Sequence, residues 1–182
     1  MTDLAANRLY GLLFGNLGIQ EAHSVMLVEV SDRESTTKIA ASLSQAIASH
    51  GNRVLLVGIN DVDNSQSKSF GAMEIDGAIE LDCRYPNGVT TTSFEDVGYV
   101  GFDMANVSVN ELSNYFLAAV DAGVSVVAVA RLDSAILVSS LCEATVMTIT
   151  HGKTSRSVAR QMAQDLESAN ANVVGVISAN SR

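Results

Sequence analysis

The segment from Ser24 to Gly58 constrains the fold more than any other part of the chain. It opens with an apolar run, Ser24–Val30, that reads as a buried strand. Thr36–His50 follows, with Ile39, Leu43, Ala46 and Ile47 on one helical face and Gly51 as the stop signal. Arg53–Val57 is a second buried strand, closed by Gly58. Strand, helix and strand within about 35 residues make a βαβ unit, which requires parallel strands and a right-handed crossover.

The rest of the chain repeats that rhythm. Residues 3–17 have helical periodicity, with Leu9, Leu13 and Leu17 on one face and Tyr10 and Phe14 beside them. Residues 60–76 are polar and loop-like, and Pro86-Asn87-Gly88 is a turn between extended segments with the look of a hairpin. Ser108 and Glu111 have capping-box spacing ahead of a helix that carries Leu112, Tyr115, Phe116, Ala119 and Val120. Val124–Ala130 is another continuous apolar strand, and Asp133 is placed to cap a helix through Leu141. Thr145–Thr150 is a strand, Thr154–Ser168 a helix and Val173–Ile177 a final strand. Alternating strands and helices with all-apolar strands indicate a three-layer α/β/α class: a mainly parallel, doubly wound sheet covered on both faces.

A chain of 182 residues suits a single domain, 1–182, with an N-terminal helix in 1–18. The net charge of −9 argues against a nucleic-acid surface, which needs clustered Lys and Arg, and against adhesion to anionic lipid. No apolar stretch approaches the ~20 residues needed to span a membrane. The N-terminus lacks the basic start of a signal peptide. Cys83 and Cys142 fit no metal-ligand spacing, so reduced thiols in a cytoplasmic protein are expected.

In such sheets ligands bind outside the carboxyl ends of the strands. The turn after the first strand, Ser31-Asp32-Arg33-Glu34-Ser35-Thr36-Thr37, has the frame of a phosphate-binding loop but no glycine, and no lysine before Lys38. Ser31 and Glu34 have the spacing to cap the helix themselves and so consume the N–H groups a phosphate would use. Asp61 and Asp63 after the second strand are candidate magnesium-side carboxylates, with solvated turn residues as the plainer reading. Asp133 is a third such carboxylate, more simply explained by capping. His151-Gly152-Lys153-Thr154 contains GKT, but the companion glycine position is Met147, inside a strand, so it reads as a turn. His23, His50 and His151 lie near element ends and form no catalytic arrangement by spacing.

Two stretches, ASLSQAIASHGNRVLLVG and GKTSRSVARQMAQDLESANANVVGVISAN, resemble the cytoplasmic kinase domain of the bacterial tyrosine kinases (BY-kinases) of polysaccharide export systems. That family belongs to the MinD/ParA-like P-loop ATPases, and the resemblance spans nearly the whole chain. It implies a P-loop NTPase-like fold. Aligned without gaps, the family's phosphate loop, TS..PG.GKST, falls on Val28 to Lys38. Its two glycines fall on Arg33 and Ser35, with Glu34 between them, and its lysine falls on Thr36. Only the magnesium-binding Ser/Thr persists, as Thr37. The family's second motif places its paired aspartates on Gly58 and Asn60. Its third, a strand ending in Asp and two prolines, falls within Ser125–Ala130. The oligomerisation motif ExxRxxR falls on Arg8, Gly11 and Phe14 and is lost. The tyrosine-rich tail is expected to be lacking, Tyr115 being the last tyrosine.

The resemblance therefore implies an inactive homologue. Phosphoryl transfer depends on positioning and electrostatic stabilisation by these groups, and loss of one oxyanion-type donor alone costs roughly 3–4 kcal/mol of transition-state stabilisation. No cofactor and no metal are then expected. The expected role is a non-enzymatic partner or regulator in exopolysaccharide synthesis or export. By resemblance it would bind an inner-membrane polysaccharide co-polymerase (chain-length regulator) or a second copy of itself, in the cytoplasm or at the inner membrane through that partner. Arg8, Tyr10 and Phe14 are the candidate docking surface, with packing on the sheet as the plain alternative. The competing reading is a divergent ATPase or tyrosine kinase that uses ATP and magnesium through Thr37, Lys38 and Asp61. A fold-mate binding another small ligand ranks below both, because no GxGxxG-type fingerprint is present.

Overall fold

The computed structural model describes residues 3–14, 23–30, 33–60, 74–75, 78–79, 90–92 and 96–179. The βαβ unit forms as its pattern requires. Strand β1 (Ser24–Glu29) is buried along nearly its whole length, as an all-apolar central strand must be. Helix α2 (Arg33–Ser49) turns Ile39, Ala40, Leu43, Ala46 and Ile47 inward. It ends where Gly51 adopts φ +83° and its N–H reaches the Ala48 carbonyl, a conformation that costs glycine nothing. Strand β2 (Arg53–Ile59) follows at once.

Helix α1 (Asp3–Phe14) precedes this unit, and residues 15–18 of the expected helix lie outside the described ones. Beyond it come the two-residue strands β3 (Glu74–Ile75) and β4 (Ala78–Ile79), which pair antiparallel with each other. The stretch 60–76 is thus not all loop. Strand β5 (Thr90–Thr91) pairs antiparallel with β6 (Val97–Phe102). The proposed Pro86-Asn87-Gly88 turn, Cys83, Asp61 and Asp63 lie outside the described residues.

The second half alternates as expected. Helix α3 (Val109–Asp121) opens with the anticipated capping box: Ser108 Oγ accepts from the Glu111 N–H, and the Glu111 carboxylate accepts from the Ser108 N–H. Those hydrogen bonds hold the Glu111 carboxyl below its usual range. Strand β7 (Val124–Arg131) leads into helix α4 (Leu132–Val138) and a 3₁₀ turn, Ser139–Leu141. Strand β8 (Ala144–Thr150), helix α5 (Arg156–Ser168) and strand β9 (Val173–Ala179) complete the chain.

Three expectations need correction. Arg131, not Asp133, stands at the N-cap of α4 and makes no side-chain cap; the Asp133 carboxylate accepts from the next N–H, Ser134, inside the first turn. Helix α5 starts at Arg156, not Thr154, and Ser155 caps it, with Oγ accepting from the Val158 N–H. Strand β6 was not anticipated as a sheet strand, because Gly98 and Gly101 interrupt its apolar run. It is one nonetheless, with Val97, Tyr99 and Val100 buried.

The main sheet runs β5-β6-β2-β7-β1-β8-β9, and the six strands from β6 to β9 are parallel. One apolar cluster joins α1 and α2 to one face through Tyr10, Leu43, Ile47, Leu56 and Val127. The other joins α3, α4 and α5 to the opposite face through Phe116, Val138, Leu166, Met26 and Met147. This is the three-layer, doubly wound arrangement, with β1 between β7 and β8 at the centre. Burying each of these large side chains stabilises the fold by about 1.5–3 kcal/mol.

Candidate functional site

The connection leaving β1 crosses one face of the sheet, through α2, while those leaving β7 and β8 cross the other, through α4 and α5. The crevice that such a switch point opens lies at the carboxyl ends of these strands. There Glu29 of β1 is in register with Arg131 of β7 on one side and Thr148 of β8 on the other.

The first turn of α2 enters this crevice. Thr36, at the position of the phosphate-loop lysine, is 1% exposed and faces the sheet. Its Oγ1 lies 2.5 Å from the Thr148 Oγ1, and Thr148 Oγ1 donates to the Val28 carbonyl at 3.0 Å. A hydroxyl has one proton. Thr148 spends its own on Val28, so Thr36 is the donor in the Thr36–Thr148 contact. The result is a buried relay from α2 through β8 to β1. Thr37, which the resemblance aligns with the magnesium-binding Ser/Thr, is buried too, whereas Lys38 is exposed. Ser31 and Asp32, and the side chains of Arg33 and Glu34, lie outside the described residues, so the expected self-cap at Ser31 does too. Ser35 is half-buried.

At the end of β2, Asn60 stands where the resemblance places an aspartate. It adopts φ +56°, a left-handed conformation that asparagine tolerates better than most residues. Three of its polar groups are engaged: the backbone N–H donates to the Phe102 carbonyl at 2.7 Å, Nδ2 donates to Ser134 Oγ at 2.6 Å, and Oδ1 accepts from the Met104 N–H at 2.8 Å. Asn60 therefore clips the ends of β2 and β6 to the start of α4. Its local sequence, a polar residue after an apolar strand, marked a turn but did not reveal these partners.

At the positions the resemblance aligns with paired aspartates, Gly58 and Asn60 offer no carboxylate, and at the one it aligns with the lysine, Thr36 presents an internal hydroxyl; β7 ends in Arg131. Among the described residues no group of three or more His, Cys, Asp or Glu side chains could hold a metal ion. The GKT segment is a turn in which Gly152 has φ +79° and Lys153 and Thr154 return their N–H groups to the Thr150 carbonyl.

The expected docking helix lies at the other end of the sheet. Tyr10 and Phe14 are core residues, not surface ones. Tyr10 stacks on His50 at 4.2 Å, and His50 Nδ1 donates to the Ala46 carbonyl, closing the C-terminus of α2. Phe14 lies 5.7 Å from the His23 ring, and His23 Nδ1 contacts the Glu143 carboxylate at 2.6 Å. His23 is buried, while His151 is exposed. Of the α1 side chains, Arg8 and Leu12 face outward, Leu12 with 75% exposure. Cys142 is a free, buried thiol, as expected, with its pKa raised by burial and then by the Glu143 charge.

Sheet order and double winding define a three-layer, P-loop NTPase-like α/β/α fold. No protein-family model matches the sequence, and no curated protein matches it significantly. Solved structures do. The kinase domain of the Escherichia coli tyrosine kinase ETK superposes with a TM-score of 0.80 over 99% of this chain and 76% of that one, at 15% identity. The chimerical protein CapA2B2 gives 0.68 over 94% and 80%, at 16% identity. The VpsO kinase domain gives 0.63 over 99% and 96%, also at 16% identity. The fold is thus that of bacterial tyrosine kinase domains. No helix among the described residues is long and apolar enough to cross a membrane.

Proposed function

We propose that this chain is a catalytically inactive relative of the bacterial tyrosine kinases, acting as a non-enzymatic partner or regulator in exopolysaccharide synthesis or export. The observation that carries this reading is Thr36. At the lysine position a neutral hydroxyl is turned into the protein and bound to Thr148, so the group that would reach a phosphate is both absent and replaced by an internal tie. Gly58, which has no side chain, and Asn60, whose amide is bound to Ser134 and Met104, support it at the two positions where the resemblance places paired aspartates. The partner class suggested by the resemblance is the cytoplasmic part of an inner-membrane co-polymerase. The competing enzyme would have to work through Thr37, which is buried, Lys38 and Asp61.

Calorimetric titration with ATP and magnesium tests the reading. The expected result is no binding up to millimolar nucleotide and no phosphate release. Micromolar binding that disappears in Thr37→Ala would refute it and establish the divergent ATPase or kinase instead.

A further inference from the structure

Among the described residues β9 pairs with β8 alone and forms one edge of the sheet. Its seven residues, VVGVISA, contain no charge and no proline, two of the devices that keep an edge strand from pairing with another chain, and its register against β8 shifts once, between Val173 and Gly175, leaving Gly175–Ala179 regular. Val174 and Val176 are 49% and 53% exposed. Val176 is in register with Met147, whose side chain lies in the cluster beneath α3, α4 and α5, so Val176 lies on that same face. The edge therefore presents open backbone groups and a valine pair together.

Helix α5, which carries the chain from β8 to β9, has a charge pattern that matches. Arg156, Arg160, Ala163 and Glu167 recur at helical spacing and form one stripe, beside the buried Met162 and Leu166. A right-handed β8–α5–β9 crossover turns this stripe toward the free edge. The stripe is basic where α5 begins and acidic where it ends. A two-fold axis perpendicular to the sheet at the β9 edge reverses the direction of both β9 and α5. It sets the Arg156–Arg160 end of one copy against Glu167 of the other, twice.

We propose that a second copy of this chain docks on this edge. The two β9 strands pair antiparallel about Val176, joining both sheets into one, with Val174 and Val176 under the two α5 helices and the Arg–Glu pairs at the rim. The interface is isologous, as a two-fold dimer requires, and places apolar contacts centrally with charge outside. It involves no residue of the crevice, so it holds or fails independently of nucleotide binding.

Sedimentation velocity on the nucleotide-free chain, from about 1 to 100 μM, tests it. A dimer is expected for the wild type, and a monomer of unchanged circular dichroism for Val176→Lys. Arg160→Glu and Glu167→Arg alone should each weaken dimerisation, on the order of fivefold or more, because both rim pairs become like-charged. An equimolar mixture of these two variants should restore it as a heterodimer, which no general loss of stability could mimic. A wild type that stays monomeric over the whole range, a dimer unaffected by Val176→Lys, or a mixture no tighter than its components would each overturn the proposal.

Discussion

If Thr36 has become an internal tie, its energy should depend on Thr148 and on no ligand. A double-mutant cycle with Thr36→Val and Thr148→Val measures this. Valine keeps the branched shape and removes only the hydroxyl. Thr148→Val takes away the β8 partner of the buried Thr36 hydroxyl and removes the donor to the Val28 carbonyl. A buried polar group that loses a partner costs about 1–3 kcal/mol. Thr36→Val removes one donor but leaves Thr148 bonded to Val28, so about 0.5–1.5 kcal/mol is expected. In the double variant neither hydroxyl is left orphaned, and the loss should again be only about 0.5–1.5 kcal/mol. The singles should therefore sum to more than the double, with a coupling energy of about 1 kcal/mol or more. Urea denaturation of the four proteins reads it, and each kcal/mol corresponds to roughly 2–4 °C in Tm for a chain of this size. Strict additivity, with coupling below about 0.3 kcal/mol, would refute the relay and leave the Thr36 hydroxyl available for another role.

Three further outcomes follow from the same structure. Asn60→Gly should destabilise by the loss of two side-chain hydrogen bonds, and Asn60→Ala by about 1 kcal/mol more, because alanine resists φ +56°; equal losses in urea would show that the left-handed conformation is not held. Burial raises the Tyr115 pKa to about 12. The unfolded chain then ionises first, so this group's stabilisation is intact below about pH 10 and is lost as pH rises toward 12. Tyr115→Phe should flatten the stability profile in that window and nowhere below it. Cys142, buried and with its thiol pKa raised, should react with an alkylating reagent only as fast as the protein opens, followed by mass spectrometry of its peptide; prompt labelling in the native state would contradict its burial.

What the sequence disclosed was governed by range. The strands β1, β2 and β7 are mainly apolar runs, β8 mixes apolar residues with β-branched threonines, and the capping box at Ser108 is a contact between residues three apart, so all were legible from local pattern. Strand β6 was missed because its two glycines mask an alternation that only pairing with β2 makes meaningful. Tyr10 and Phe14 were legible as one helical stripe, but which way a stripe faces depends on what packs there. Their partners are His50 and His23, at the far end of α2 and the start of β1. The candidate site was hardest. Thr36 finds Thr148 across 112 positions and Asn60 finds Ser134 across 74. Sequence could set Thr36 and Asn60 against the lysine and acid of the motifs the chain resembles; only the fold shows what these two residues bind.

Those replacements have a common electrostatic logic. A nucleotide site of the ATPase kind brings together a lysine, acidic metal ligands and a polyanion, and the charges balance only when the ligand is present. In a protein that binds no nucleotide, each group left behind would be a charge near the end of a buried parallel sheet, without its counter-charge. Removing one member alone would make matters worse for the others. On the proposed reading the substitutions at Thr36 and Asn60 resolve this together: each exchanges a charge for a neutral donor–acceptor that pairs within the protein. Thr36 pairs with Thr148, and Asn60 with Ser134 and Met104. Restoring the lysine alone, by Thr36→Lys, should then lower stability through a buried, uncompensated ammonium without producing ATP binding. A Thr36→Lys variant that gained micromolar affinity for ATP would mean that the crevice has kept its phosphate geometry, and that the inactivity proposed for this chain rests on a single residue.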